Sequence, residues 1–134
     1  MNGVTQVPAA TSEETLAHFE ESFRFETDCW DVHSALQSDG SGFVLLDVRN
    51  DEEFARGHVS GAVHLPHGKI IASKMARWPQ DTLFVTYCDG PHCNGAARGA
   101  IRLAKLGRPA KIMIGGIWGW TDEGFELERA AIAA

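Results

Sequence analysis

Residues 82–107, TLFVTYCDGPHCNGAARGAIRLAKLG, run from a strand pattern through a cysteine loop into a helix pattern, and this passage limits what the chain can become. Leu83, Phe84, Val85 and Tyr87 form a short apolar, β-favouring run of the kind that makes a buried strand. Cys88 ends it. The loop Asp89-Gly90-Pro91-His92-Cys93-Asn94 follows, and residues 96–106 then read as a helix. Ile101, Leu103, Ala104 and Leu106 give that helix an apolar side, Arg98, Arg102 and Lys105 a polar one, and Gly107 a stop. A cysteine between the carboxyl end of a strand and the amino end of a helix faces unpaired backbone N–H groups and the positive end of the helix dipole. Both favour the thiolate, which is the nucleophilic form. Gly90 is expected to let the backbone curl so that several N–H groups converge on one point. The same cysteine also fits a plainer role, as a small buried hydrophobe closing a strand. These residues alone leave the two roles open.

The rest of the chain repeats the alternation. Residues 43–49, FVLLDVR, are an apolar run ending in a charged pair, which suits a parallel strand covered on both faces. Residues 62–65 read as a short strand closed by Pro66, and residues 110–114 as another that ends in Gly115-Gly116. Helical patterns occupy residues 51–54, stopped near Gly57, residues 69–78, with Ile70, Ile71 and Met75 inward and Pro79 as terminator, and residues 117–123. Upstream, Thr11 and Glu14 make a capping box. Leu16, Phe19 and Phe23 then recur at helical spacing, so an amphipathic helix is expected over residues 12–24. Thr27-Asp28 starts a second helix over residues 29–36, in which Cys29 reads as structural. Residues 1–11 are polar and small, the pattern of a loose leader.

Strands alternating with helices over short connections predict an α/β fold with a central parallel sheet and helices on both faces. Ligands in such folds sit outside the carboxyl ends of the strands, where Cys88 falls. The expectation is one domain over residues 1–134, with amino-terminal helices over 12–37 and a core over 43–128. At 134 residues, a chain that is 44% apolar and 22% charged has enough core to need neither disulfides nor metal as staples. The net charge of −6 argues against nucleic acid and anionic membranes as partners. No apolar run is long enough to cross a bilayer, and no secretory signal pattern is visible at the start. Three cysteines, an odd number, suit a reducing cytoplasm better than a disulfide framework.

Three stretches together resemble the rhodanese-like (sulfurtransferase) family. Asp47-Val48-Arg49, Glu53-Phe54, Gly57-His58-Val59 and Gly61-Ala62 are similar to its amino-terminal signature. Cys88 on its loop, with the small-residue helix start, is the second stretch. Gly115-Gly116-Ile117-Trp118-Gly119-Trp120, with Gly124, is similar to the carboxy-terminal signature. The resemblance implies a persulfide mechanism without a cofactor or metal. Cys88 takes sulfane sulfur from a small donor such as thiosulfate and passes it to a thiol or cyanide. Asp89, Gly90, Pro91, His92, Cys93 and Asn94 would supply the backbone anion cradle. Asp47 and Arg49 are expected to pair with the loop backbone or with each other, His58 to fix a turn, and Trp118 and Trp120 to shield the loop or, as the favoured reading, to pack.

The loop departs from the familiar pattern at two places. Many thiosulfate-using members carry a basic residue directly after the cysteine, whereas Asp89 stands here and the first Lys or Arg is Arg98. An acidic neighbour raises a thiol's pKa and repels thiosulfate, so a less anionic donor or a protein-borne persulfide gains ground. His92 is the loop's one titratable cation. Cys93, five positions after Cys88, suits a resolving thiol or simple packing at the helix start. A zinc site from Cys88, His92 and Cys93 lacks a second ligand pair. A cysteine phosphatase needs an arginine where Asn94 stands. The remaining alternatives to sulfur transfer are a noncatalytic binding or regulatory module and a Cys88/Cys93 redox sensor.

Overall fold

The computed structural model describes residues 2–38 and 40–130. Met1, Asp39 and residues 131–134 lie outside them, and with these positions parts of the expected leader, of the loop near Gly40 and of the tail. Among the described residues, five parallel strands form one sheet: β1 (Glu26–Asp28), β2 (Val44–Asp47), β3 (Val63–His64), β4 (Phe84–Tyr87) and β5 (Ala110–Ile114). Their order is β1-β5-β4-β2-β3, which leaves β4 in the centre. The helices are α1 (Ser12–Ser22), α2 (Cys29–Leu36), α3 (Asp51–Arg56), α4 (Ala72–Met75), α5 (Gly95–Lys105) and α6 (Gly116–Asp122), with a 3-10 turn at His67–Lys69.

The two-residue period of the strands divides the apolar side chains between two cores. Leu45, Val85, Tyr87 and Met113 meet Cys29 and Val32 of α2 and Trp120 of α6 on one face. Leu46, Val48 and Phe84 meet Ile70, Met75 of α4 and Leu103 of α5 on the other. Layers on both sides of a parallel sheet were the expectation, and this is the arrangement found. The hydroxyl of Thr86 donates to the carbonyl of Ala96 at 2.8 Å, which fixes the first turn of α5 beside the end of β4.

Three elements differ from the sequence reading. The expected helix over 69–78 is a 3-10 turn and the four-residue α4, separated by Ile70 and Ile71 in extended conformation. These adjacent β-branched residues have little helical preference, and Ile70 is buried in the core. The carbonyls of Met75, Trp78 and Pro79 are taken instead by the guanidinium of Arg108, at 2.7–3.0 Å. Strand β1 went unread because Glu-Thr-Asp carries no apolar alternation. Its order comes from pairing with β5, in the register Glu26 with Ile112 and Asp28 with Ile114. Helix α1 forms behind its Thr11–Glu14 capping box, yet none of its residues is buried, and Leu16, Phe19 and Phe23 are exposed.

Candidate active site

Cys88 lies one residue past β4 and is buried, 6% exposed. Its sulfur is bonded to that of Cys93, with the two Cα atoms 6.3 Å apart. The packing role considered for Cys93, in which it stays apart from Cys88, is therefore not the arrangement found. Gly95, the first residue of α5, explains how both sulfurs fit. A Cβ there would lie 2.9 Å from Sγ of Cys88 and 3.4 Å from Sγ of Cys93. The Gly95 N–H donates to Sγ of Cys93 at 3.4 Å. This is one of the free amides at a helix start, and its dipole favours negative charge on sulfur. Both cysteines line a cavity of about 220 Å³ together with Pro91, Ala97, Ile112 and Gly115.

The rest of the loop is held from two sides. The Cys93 N–H closes a turn on the carbonyl of Gly90 at 3.0 Å, so this amide does not join an anion cradle. Asn94 caps nothing with its side chain; its Oδ1 accepts from Nε of Arg98 at 3.1 Å. Pro91 and His92 are exposed. Gly90 is required for a reason other than the expected backbone curl. Its φ is not positive, and a Cβ would meet the indole of Trp118 at 3.0 Å. At α6 the backbone amides of Ile117 and Trp118 donate to the carbonyls of Cys88 and Asp89, at 3.1 and 2.8 Å. Gly116 permits this contact: its φ is +57°, and any Cβ would collide with the carbonyl oxygen of Cys88.

The two indoles of the Trp-Gly-Trp stretch part company. Trp120 is buried and donates from Nε1 to the carbonyl of Glu126 at 3.0 Å, as packing requires. Trp118 is 55% exposed, lies on Gly90, and has the His92 ring edge-on to it at 6.0 Å. Of the two roles read from the sequence, shielding the loop fits Trp118 and packing, the favoured one, fits Trp120. Their spacing of two on a helix, which sends neighbours to different sides, was the available signal.

Asp47, Arg49 and Asp89 form one network. Arg49, 6% exposed, donates from Nε and Nη2 to the Asp47 carboxylate, from Nη2 to the carbonyl of Gly57 at 2.6 Å, and from Nη1 to Asp89 at 3.1 Å. Asp47, fully buried, also accepts from the Tyr87 hydroxyl at 2.7 Å, and that oxygen accepts the Val59 N–H at 3.0 Å. Burial would lower the Arg49 pKa, but the hydrogen bonds and charge of Asp47 outweigh it and hold the guanidinium charged. Burial, then the Asp47 carboxylate, pushes the Tyr87 phenol up, so it remains a donor. For Asp89, burial pushes upward, while hydrogen bonding with Glu53 and Arg49 wins and leaves the carboxyl below its usual range. Glu53 is displaced upward, chiefly by its hydrogen bond with Asp89 and then by burial. The charge that reads in sequence as an uncompensated neighbour of Cys88 is thus paired with Arg49. It lines a cleft with Glu53, Arg56 and Trp118.

His58 is buried, with Nδ1 2.8 Å from the carbonyl of Phe54 and Nε2 3.5 Å from the Glu128 carboxylate. Its ring stacks on Phe54 at 3.8 Å. These contacts belong to α3 and the carboxy-terminal segment rather than to the cysteine loop, and they fix the turn between α3 and β3.

A parallel α/β sheet with a cysteine loop between its central strand and an amide-rich helix start defines a narrow class of protein. Residues 31–123 match the rhodanese-like domain family. The chain belongs to that family. Among solved structures, the BH2092 protein of Bacillus halodurans is similar with a TM-score of 0.84 and 33% identity, over 89% of this chain and 87% of that one. A thiosulfate sulfurtransferase of Pseudomonas aeruginosa shares the fold, with a TM-score of 0.68 and 19% identity, over 84% of this chain and 21% of that one. The HTH-type transcriptional regulator Rv0324 of Mycobacterium tuberculosis is 34% identical over 89 residues, which is 66% of this chain and 38% of the regulator. The chain therefore spans well under half the length of that relative. Among the described residues, no helix is long and apolar enough to cross a membrane.

Proposed function

We propose that the protein is a rhodanese-type sulfurtransferase that carries sulfane sulfur as a persulfide on Cys88. The observation behind this reading is the place of Cys88: buried at the end of the central strand, open to a cavity of about 220 Å³, and set against the amino end of α5. With the Cys88–Cys93 bond reduced, the Cys88 thiolate attacks the outer sulfur of a small donor. Thiosulfate leaves as sulfite, a low-molecular-weight persulfide as its thiolate, and the outer sulfur stays on Sγ. A thiol or cyanide acceptor then removes it. A protein-borne persulfide suits the exposed loop rim of Pro91, His92 and Trp118 as a donor. A reducing cytoplasm is the setting in which the thiols would be available. Asp47 and Arg49 brace the loop, and His58 holds a turn.

Intact-protein mass spectrometry tests the reading. Reduced Cys93→Ser, in which Cys88 is the one thiol of the loop, is incubated in turn with thiosulfate, mercaptopyruvate and glutathione persulfide, with the double variant Cys88→Ser/Cys93→Ser alongside. A gain of one sulfur, absent in the double variant, is the expected result. Sulfur retained by the double variant, or none on either protein, rejects the reading. A regulatory role is the second reading, favoured by the likeness to the mycobacterial regulator; it fits a Cys88 that is oxidised but never loaded with sulfur.

A further inference from the structure

We infer that Cys93 discharges the Cys88 persulfide as sulfide, so that the loop works as a dithiol that reduces sulfane sulfur rather than only passing it on. The inference rests on the persulfide reading above and adds a second catalytic residue to it. Its ground is that the two sulfurs are bonded within the loop as folded, with Cα atoms 6.3 Å apart. Attack by Sγ of Cys93 on Sγ of Cys88 therefore leads to an arrangement the loop already holds. Cys93 is also the sulfur that receives the Gly95 N–H at the start of α5, at 3.4 Å. That contact favours its thiolate, the form needed for attack. Gly95 itself leaves the space in which the pair meets.

The step balances as a thiol–disulfide exchange. The Cys93 thiolate attacks the inner sulfur, Sγ of Cys88. The bond from Sγ to the outer sulfur breaks, and its electron pair leaves with the outer sulfur as HS⁻. The two cysteines are oxidised to the disulfide, and the sulfane sulfur is reduced to sulfide. A dithiol reductant then restores both thiols. The full cycle turns thiosulfate and a dithiol into sulfite, sulfide and a disulfide, with no other reactant.

The test compares the reduced wild type with Cys93→Ser and Cys93→Ala, each given one equivalent of glutathione persulfide with no other thiol present. In the wild type, one sulfide per chain is released and the mass settles at that of the reduced chain less two hydrogens. Both variants hold the added sulfur and release none. At protein concentrations of about 10 μM, an intramolecular thiol at an effective ~1 mM shortens the persulfide lifetime about 100-fold. A wild-type persulfide as long-lived as that of the variants overturns the inference and leaves the sulfurtransferase reading in place. Failure of all three proteins to take up sulfur overturns both.

Discussion

Two cysteines of this chain follow strand ends in the same sheet and meet opposite backbone surroundings. Cys29 follows β1 and opens α2; Cys88 follows β4 and lies ahead of α5. Each is buried and each has an aspartate beside it in sequence, Asp28 in one case and Asp89 in the other. The difference lies in which backbone groups meet the sulfur. Sγ of Cys29 lies 3.4 Å from the carbonyl of Gly116 and 3.6 Å from that of Ile114, acceptors that hold a proton on it. Burial, then the charges of Asp28 and Glu123, pushes its thiol up to about 11. The loop pair meets an amide instead, and the nearby Asp89 is paired with Arg49. A strand end before a helix thus does not by itself favour a thiolate; the polarity of the groups lining the sulfur differs between the two places.

The comparison breaks most severely under exchange of roles. Cys88→Ser is expected to abolish persulfide formation, whereas Cys29→Ala keeps it and costs about 1 kcal/mol of stability. Loss of sulfur uptake when Cys29→Ala is added to Cys93→Ser, read by intact mass with thermal melting to confirm the fold, would contradict the assignment.

Next in size is the brace beneath Cys88. Asp47→Ala leaves the buried Arg49 short of its main partner and should cost roughly 3–5 kcal/mol in urea unfolding. A cost under about 1 kcal/mol would mean that water replaces the carboxylate.

Titration distinguishes the two sulfurs more gently. The folded-state pKa of Cys29 is raised from an ordinary 9.0 to about 11, so the unfolded chain ionises first as pH rises. The contribution of Cys29 to stability is whole below pH 9.0 and disappears as pH climbs through about 11. Urea midpoints measured across that window should fall in the wild type relative to Cys29→Ala. Parallel curves would place the thiol pKa near its ordinary value.

The smallest expected effect concerns charge at the loop. Asp89→Asn releases Nη1 of Arg49 and removes one negative charge, which should raise the rate with thiosulfate by about threefold, the scale of a part-exposed ion pair. The rate with a neutral persulfide donor serves as control, and an equal rise for both donors would point to a change in the loop rather than in its field.

The sequence made the central elements legible because their residues agree with their final surroundings. Residues 110–114 read as β5 to the residue, and the run before Cys88 gave β4, since apolar β-favouring residues were headed for a buried position. Cys88 stood out by its position at a strand end, and Asp47 and Arg49 by their resemblance to the family's amino-terminal signature. What stayed hidden depends on long-range partners. Glu26–Asp28 becomes a strand only through β5, and the pairing of Asp89 with Arg49 joins residues forty apart in sequence. The meeting of Cys88 with Cys93 was one of two readings that five positions allow. Gly95 settles it, and its missing Cβ has no signature until α5 is placed.

The hydrogen bonds from the first turn of α6 to the carbonyls of Cys88 and Asp89 carry a consequence for biosynthesis. The cysteine loop leaves the ribosome before the residues that fix its shape have been made. Strand, loop and α5 can be complete while the loop sulfurs still lack their final setting. Only when Gly116 arrives, slipping a backbone without a side chain beneath Cys88, does the chain close around its own chemistry. A nascent chain halted upstream of that glycine would present its two loop thiols without the α6 amides that hold the carbonyls of Cys88 and Asp89.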